Sequence, residues 1–516
     1  MTTAPSDQPA APAGGDPNYP GQGEAQTPPR PAGEDAPAWL GWQDSLGDLA
    51  RQVGVLGNQV LTQVQDQLAR LSDAQVRLAV TGLSGSGKTV FTLALVHLLK
   101  HSRQYPELLN KLGIEELVSV RLEPAPIPDT AHFPYDSRIA ALSTAHPQWP
   151  ESTGGVSALR IQLRYRPVKT AFFSLGNGVA QLTLDLVDYP GEWLMDLPLL
   201  STSFSAWSAH SLALMATPPR ATLAAAWRDD TARLDPHAPA ADHPALIRQA
   251  AAQYHAYLRA CRRAGLRYLQ PGRFVLPGDL AGSPLLEFFP VATPGPAPPG
   301  SLHAALEQRY QAYLEQVVQP FYRTYFATCD RQVVLVDLLS VLNTGYHAFT
   351  DTRAALADLL RQFRYGDNTW FNRLFAPRID RVIFAATQAD RVSRDQAPLL
   401  AHLLQSMLGD PDEDIRHQGD DIAIHYLALS ALCCTQDVKC TLQGRPATCI
   451  RGTPLAGGDP ITCFPGQVPS LPPHAADWEG YAFPQFRPRP GRYEHGECLD
   501  HLRMYGVLRQ LIGDKL

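Results

Sequence analysis

Residues 81–89 read TGLSGSGKT and follow the apolar run VRLAV at 76–80. Gly82, Leu83, Ser84, Gly85, Ser86, Gly87, Lys88 and Thr89 fit the spacing G-x-x-x-x-G-K-[ST]. They stand between a strand pattern and the helical pattern VFTLALVHLLKHS at 90–102. Glycine at these steps lets the backbone curl until its N–H groups face inward, and a helix N-terminus adds the positive end of its dipole. Such a turn holds an anionic phosphate chain from several sides. Six of the 44 basic residues are lysines, so composition is a poor explanation for Lys88 falling at this place. The residues assigned to the phosphates are Ser84, Gly85, Ser86, Gly87, Lys88, Thr89 and Val90. Lys88 neutralises the β- and γ-phosphates, and the Thr89 hydroxyl ligates Mg²⁺.

The chain of 516 residues exceeds what one hydrophobic core usually supports, which leaves two folded regions or one heavily inserted domain. Its formal net charge of −6 gives no electrostatic reason to expect general binding to nucleic acid. No apolar run approaches the ~20 residues needed to span a bilayer, and no basic region precedes an apolar core at the N-terminus. A cytoplasmic location is the expectation, and with it reduced thiols at Cys261, Cys329, Cys433, Cys434, Cys440, Cys449, Cys463 and Cys498. The run from Cys433 to Cys463 lacks paired-ligand spacing, so a zinc site is not favoured.

Residues 1–38 are dominated by Pro, Ala, Gly, Gln and acidic side chains and read as a disordered tail. Over 39–74 apolar residues recur at steps of three and four, from Leu49 and Val53 to Leu68 and Leu71, which predicts an amphipathic helix. Its apolar face is expected to pack on the neighbouring domain. Peripheral contact with a membrane or a partner is the weaker alternative, because the polar face is not rich in Lys or Arg. Further strands are expected at 158–166, 181–189, 331–339, 380–388 and 423–431, several of them apolar on both faces as parallel strands are. The fold class is therefore α/β, a P-loop NTPase of Ras-like G-domain type with a mostly parallel sheet. The first part spans 75–200 and the second 331–516, interrupted by a large helical insertion at 201–330. A Pro/Gly-rich insertion at 441–490 is expected to form loops and short strands.

Four downstream stretches narrow the nucleotide. LTLDLVD ends in Asp188-Tyr189-Pro190-Gly191, a D-x-x-G at the end of a strand; Asp188 is assigned to Mg²⁺ through water and the Gly191 N–H to the γ-phosphate. Thr387-Gln388-Ala389-Asp390 is similar to the guanine-reading N-K-x-D, whose carboxylate accepts from N1–H and N2–H₂ of guanine and would be repelled by the N1 acceptor of adenine. Ser430-Ala431 closes the last strand, where such a pair offers a backbone N–H to guanine O6. In QWPESTGGVSALRI, Thr153 is the candidate to close over Mg²⁺ and the γ-phosphate, with Ser152 the rival hydroxyl and Trp149 available to pack on base or ribose. Glu192 follows the D-x-x-G where Ras-like GTPases place a glutamine that orients the attacking water. A carboxylate there accepts from water but adds negative charge beside the phosphate, which predicts slow intrinsic hydrolysis with Lys88, Thr153 and Glu192 as the catalytic set. No arginine finger can be chosen among so many arginines.

The chain resembles the YcjX family of bacterial P-loop, Ras-like GTPases over about 75–516. The resemblance is carried by TGLSGSGKTVF, HFPYDSRIAALS, WPESTGGVSALRIQLRY, LVDYPGEWLMDLPLL, PGRFVLPGDLAGSPLLEFFP, DRVIFAATQADRV, GRPATCIRGTPLAGG and the terminal LIGDKL. Gln388 departs from the Lys of the family's T-K-A-D. The resemblance implies GTP and GDP binding with Mg²⁺, hydrolysis, nucleotide-driven switching through an unidentified protein effector or regulator, and a link to bacterial stress. The rivals are an ATP-using P-loop NTPase and a nucleotide-binding scaffold without significant turnover.

Overall fold

The strand that leads into TGLSGSGKT, β1 (Asp73–Gly82), lies in the middle of the main sheet. In the computed structural model the described residues are 73–151, 154–168, 178–232, 234–242, 244–292, 295, 297–364, 379–409, 422–478 and 480–516. The tail expected over 1–38 lies outside them, as do Ser152, Thr153 and all of the helix expected over 39–74 except its last two residues, which open β1.

The sheet runs in the order β2 (Ile114–Glu123), β4 (Ser157–Pro167), β5 (Ala180–Asp188), β1, β6 (Arg331–Val336), β7 (Arg381–Ala386) and β8 (Ala423–Ala428), with the short β3 (Ala131–His132) beside β4. β5, β1, β6, β7 and β8 are parallel to one another, while β4 runs antiparallel to β5 and β2 antiparallel to β4. The five strands expected from the sequence are all present. β2 was not expected: its apolar alternation is broken, and its ladder with β4 shifts register twice, between Ile114 and Glu116 and between Leu117 and Ser119. A slip of one residue moves side chains to the other face, so such a strand leaves no clean period to read.

Successive residues of the central strands feed two cores, as side chains of a strand buried on both faces must. Leu78, Val80, Leu184, Leu186, Val333 and Leu335 pack with the helix Lys88–Lys100 and the C-terminal helix Met504–Ile512. Ala79, Val187, Val334 and Val336 face the opposite side, where the helical segment of 204–326 covers the sheet. Its helices Phe204–Met215, Pro244–Arg263 and Leu302–Tyr313 bring together Trp207, Tyr254, Phe288 and Tyr310, with the Trp207 and Tyr310 rings stacked 5.5 Å apart. This aromatic cluster is continuous with the core under the sheet.

The region 441–490 contributes two strands of a small antiparallel sheet, β9 (Gln436–Leu442), β10 (Arg445–Gly452) and β11 (Ile461–Cys463), followed by loops. Reduced thiols were expected throughout, and this fails at one pair: Cys440 and Cys449 are joined by a disulfide. Cys440 faces Ala447 and Cys449 faces Val438 in the β9–β10 ladder, so the two are diagonal neighbours across the strands. Their spacing along the chain does not reveal that proximity. The other six cysteines are free, four of them buried.

Candidate functional site

The parallel register aligns the carboxyl ends of the strands. Val80 pairs with Asp188, Gly82 with Leu335, Val336 with Ala386, and Ala386 with Ala428. The stretches after β1, β5, β6, β7 and β8 therefore emerge along one edge, and after β1 the chain first fills one side of it, with β2, β4 and β5, and then crosses to the other, with β6, β7 and β8. Ligands of open α/β sheets bind in the crevice at such a reversal.

A cavity of ≈ 390 Å³ lies there, within the size range of nucleotide and cofactor sites. One end is the Gly-rich turn, Leu83 through Phe91, which includes every residue assigned to the phosphates from Ser84 to Val90. The other end is lined by Gln388, Asp390, Ser430, Ala431 and Trp149. Four separate stretches picked from the sequence thus meet around one space.

The turn has the conformation its glycines require: Gly85 and Gly87 have φ of 81° and 80°, and the helix starts directly after Gly87. Lys88 Nζ donates to Gly82 O at 3.0 Å, which holds its stem along the turn. Ser86 Oγ and Thr387 Oγ1 are buried at the cavity without a hydrogen-bond partner among the described residues.

At the far end Asp390 is partly buried, and its carboxylate accepts from Ser430 Oγ at 2.5 Å and from Cys434 N at 2.7 Å. Burial pushes its pKa up, with these hydrogen bonds opposing. Ser430 N donates to Leu502 O. Gln388 adopts a left-handed backbone, φ 55°, and its amide donates to Gly85 O at 3.3 Å and to Asp337 Oδ2 at 3.0 Å. It links the base-side turn to the phosphate turn directly. Arg391 donates to Gln388 Oε1 and Asp337, and also to Phe483 O and Pro484 O, which brings Gln485 and Phe486 to the cavity wall. Trp149 is fixed by its Nε1–H donating to Phe486 O at 3.0 Å.

Asp188, Gly191 and Glu192 do not line the cavity; they lie behind the turn. A Cβ on Gly191 would sit 2.4 Å from Gly82 O, so the D-x-x-G packs on the first residue of the Gly-rich turn. Arg138 lies close enough to Asp188 for the carboxylate to oppose the downward pull of burial on its guanidinium. Glu192 is buried, 3.6 Å from Arg262. Among the described residues there is no cluster of three or more His, Cys, Asp or Glu that could hold a metal. A Mg²⁺ held by Thr89, by Asp188 through water and by a ligand's own phosphates requires none.

Sequence reasoning missed Asp337, Arg391, the wall at 485–486 and Arg267, which also lines the cavity. Asp337 ends a parallel strand and Arg391 follows Asp390, so position alone could have flagged both. Arg267 carries no local signal.

The site is thus a two-ended cleft on a mixed α/β fold with a Gly-rich strand-to-helix turn at one end. The profile of the YcjX-like family, DUF463, matches residues 76–516, and the chain belongs to that family. It is 39% identical over 456 residues to a protein of Escherichia coli strain K12 named Ras-like GTPase YcjX, covering 86% of this chain and 96% of that protein. A Shewanella oneidensis MR-1 protein of the same name is 37% identical over 482 residues, covering 89% of this chain and 98% of that protein.

Proposed function

We propose that the chain is a GTP-binding and GTP-hydrolysing switch built on a P-loop NTPase domain. The observation that carries it is the single cavity joining Ser84–Val90 to Gln388, Asp390, Ser430 and Ala431. The names of the two relatives support it. The inward N–H groups of the turn and Lys88 bind the phosphates. Each carboxylate oxygen of Asp390 has a lone pair left after Ser430 and Cys434, and these accept from guanine N1–H and N2–H₂. Because Ser430 N is already used, the N–H for guanine O6 falls to Ala431. Gln388 takes the place of a lysine by holding the two ends of the site together. When Mg²⁺ is bound, by Thr89, Asp188 and Thr153, it supplies charge neutralisation to the β- and γ-phosphates. Gly191 senses the γ-phosphate from its seat against Gly82, and Glu192, buried behind the turn, accepts from the attacking water once 191–201 has moved toward the cleft. A carboxylate in that role keeps unassisted turnover slow.

Competition of GDP and ADP against a fluorescent guanine nucleotide tests the base: GDP is expected to displace it at far lower concentration, and tighter ADP binding would sink guanine selectivity. Asp390→Asn is expected to shift preference from guanine toward xanthine, whose 2-oxo group accepts from the amide. Unchanged preference would remove Asp390 from the base. Phosphate release from GTP above that of Lys88→Ala separates a turning-over enzyme from a scaffold.

A further inference from the structure

The helical segment reaches the phosphate end with a guanidinium. Arg262, in the last turn of the helix Pro244–Arg263, donates from Nη2 to Ser84 Oγ at 2.8 Å and stands 3.6 Å from Glu192 Oε1. Ser84 belongs to the Gly-rich turn and Glu192 follows the D-x-x-G, so the guanidinium bridges the two stretches between which a terminal phosphate would react. Its side chain is 28% exposed and that of Glu192 4%, so the cation keeps contact with solvent beside the Gly-rich turn while the carboxylate is buried.

The end of the helix is fixed rather than free to swing. Gly265, at φ +87°, turns the chain, with its N–H on Arg262 O and the Leu266 N–H on Cys261 O. Asp351 Oδ2 then accepts from Arg267 N at 2.6 Å and Tyr268 N at 2.7 Å, while its Oδ1 accepts from Arg220 at 2.6 Å. Arg267, held in this way, donates to Arg262 O and lines the cavity. Two cations are therefore positioned before any ligand arrives, the condition under which fixed charges stabilise a transition state without reorganisation cost.

We propose that Arg262 is an arginine finger supplied in cis by the helical segment, neutralising charge on the transferred γ-phosphoryl group, with Arg267 as the second cation. The role rests on the phosphate-site function proposed above. In the step it assists, the water oxygen bonds to the γ-phosphorus as the bond from phosphorus to the β–γ bridging oxygen breaks. That oxygen keeps the electron pair and leaves as the nucleoside diphosphate. One water proton stays on its oxygen and the other passes to an oxygen of the departing γ-phosphoryl group. Arg262 also offsets the Glu192 charge, which otherwise repels the triphosphate. A cation in this role is worth ~10³–10⁵ in rate where it has been measured in other GTPases.

The test compares wild type, Arg262→Ala and Arg262→Lys in the full chain with Mg²⁺. It reads GDP affinity, single-turnover phosphate release from GTP, and capture of aluminium fluoride with GDP, which mimics the flying phosphoryl group. Arg262→Ala is expected to keep GDP affinity within about threefold, to lose about 100-fold or more in phosphate release, and to lose aluminium fluoride capture. Arg262→Lys, which keeps the charge and the fold, is expected to remain at least about tenfold slow because it lacks the planar fork. Undiminished release and capture in Arg262→Ala would overturn the arginine alone. Loss of GDP affinity and thermal stability in both variants would overturn it in favour of a structural clasp. Wild-type release no faster than that of Lys88→Ala would overturn the GTPase function itself and the arginine's role with it.

Discussion

His97 shows how a single side chain in this fold is committed to one protonation state. Its Nε2 lies 2.9 Å from Glu497 O, a carbonyl that can only accept, so Nε2 carries the proton and Nδ1 accepts from Tyr135 OH at 3.0 Å. Burial first and the neighbouring His101 second lower its pKa to about 4. Below the ordinary value of 6.5 the unfolded chain takes up a proton that the folded chain refuses until about pH 4, so stability contributed at neutral pH is lost as pH falls across that window. Urea unfolding of wild type and His97→Gln should differ in slope there by up to about 1.4 kcal/mol per pH unit, and equal slopes would refute the neutral buried histidine. Gln388 makes a second test. Removing its amide with Gln388→Ala unties Gly85 from Asp337 and is expected to weaken nucleotide affinity by about 1 kcal/mol, roughly fivefold in the dissociation constant. The sequence marks Gln388 as a departure from the family, but its partner Asp337 stands 51 positions away and is invisible until the strands align.

Elements meet at glycines that tolerate no substitution. A Cβ on Gly272 would fall 1.8 Å from Glu192 O, and one on Gly191 2.4 Å from Gly82 O; both obstacles are backbone and cannot rotate aside. Gly272→Ala is expected to destabilise by about 1–3 kcal/mol or more. Gly506 provides the control: it is exposed within the helix Met504–Ile512 with open space where a Cβ would go, so Gly506→Ala should stabilise by roughly 0.5–1 kcal/mol. Thermal unfolding of the two variants checks the opposite signs, and a neutral Gly272→Ala would contradict the packing. The strands and helices themselves were legible because periods of 2 and 3.6 survive in the sequence wherever a face is fully buried. β2 was not, because its register shifts blur the period at a half-exposed edge. The lining at 485–486 was not either, because it is carried by Arg391 hydrogen bonds rather than by any local pattern.

Across the whole molecule, what the sequence could not show is that the helical segment and the Gly-rich turn share one site; Arg262 and Ser84 are 178 positions apart. The same segment also grips the stretch that follows the D-x-x-G. Gly191–Ser201 winds as a 3₁₀ helix, and Asp196 within it accepts from Gly272 N at 2.7 Å, Arg273 N at 3.3 Å and Tyr313 OH at 2.7 Å. Gln270 donates to Met195 O, Trp193 Nε1 donates to Leu276 O, and the Arg273 guanidinium stacks 3.2 Å above the Trp193 ring. Burial raises Asp196 to about 6, with Tyr313, Gly272 and Arg273 opposing, so at neutral pH the carboxylate is ionised and its three donors are strongly held. If Gly191 moves when a γ-phosphate is present, 270–276 must move with it, because the three bonds to Asp196 are buried and costly to break. Hydrogen exchange comparing GDP with a non-hydrolysable GTP analogue is therefore expected to change protection in 191–201 and 270–276 together. In Asp196→Ala the change should persist in 191–201 and shrink in 270–276. A nucleotide-dependent change confined to 191–201 in the wild type would show that the helical segment is a passive cover rather than the part of the molecule that carries the nucleotide state outward.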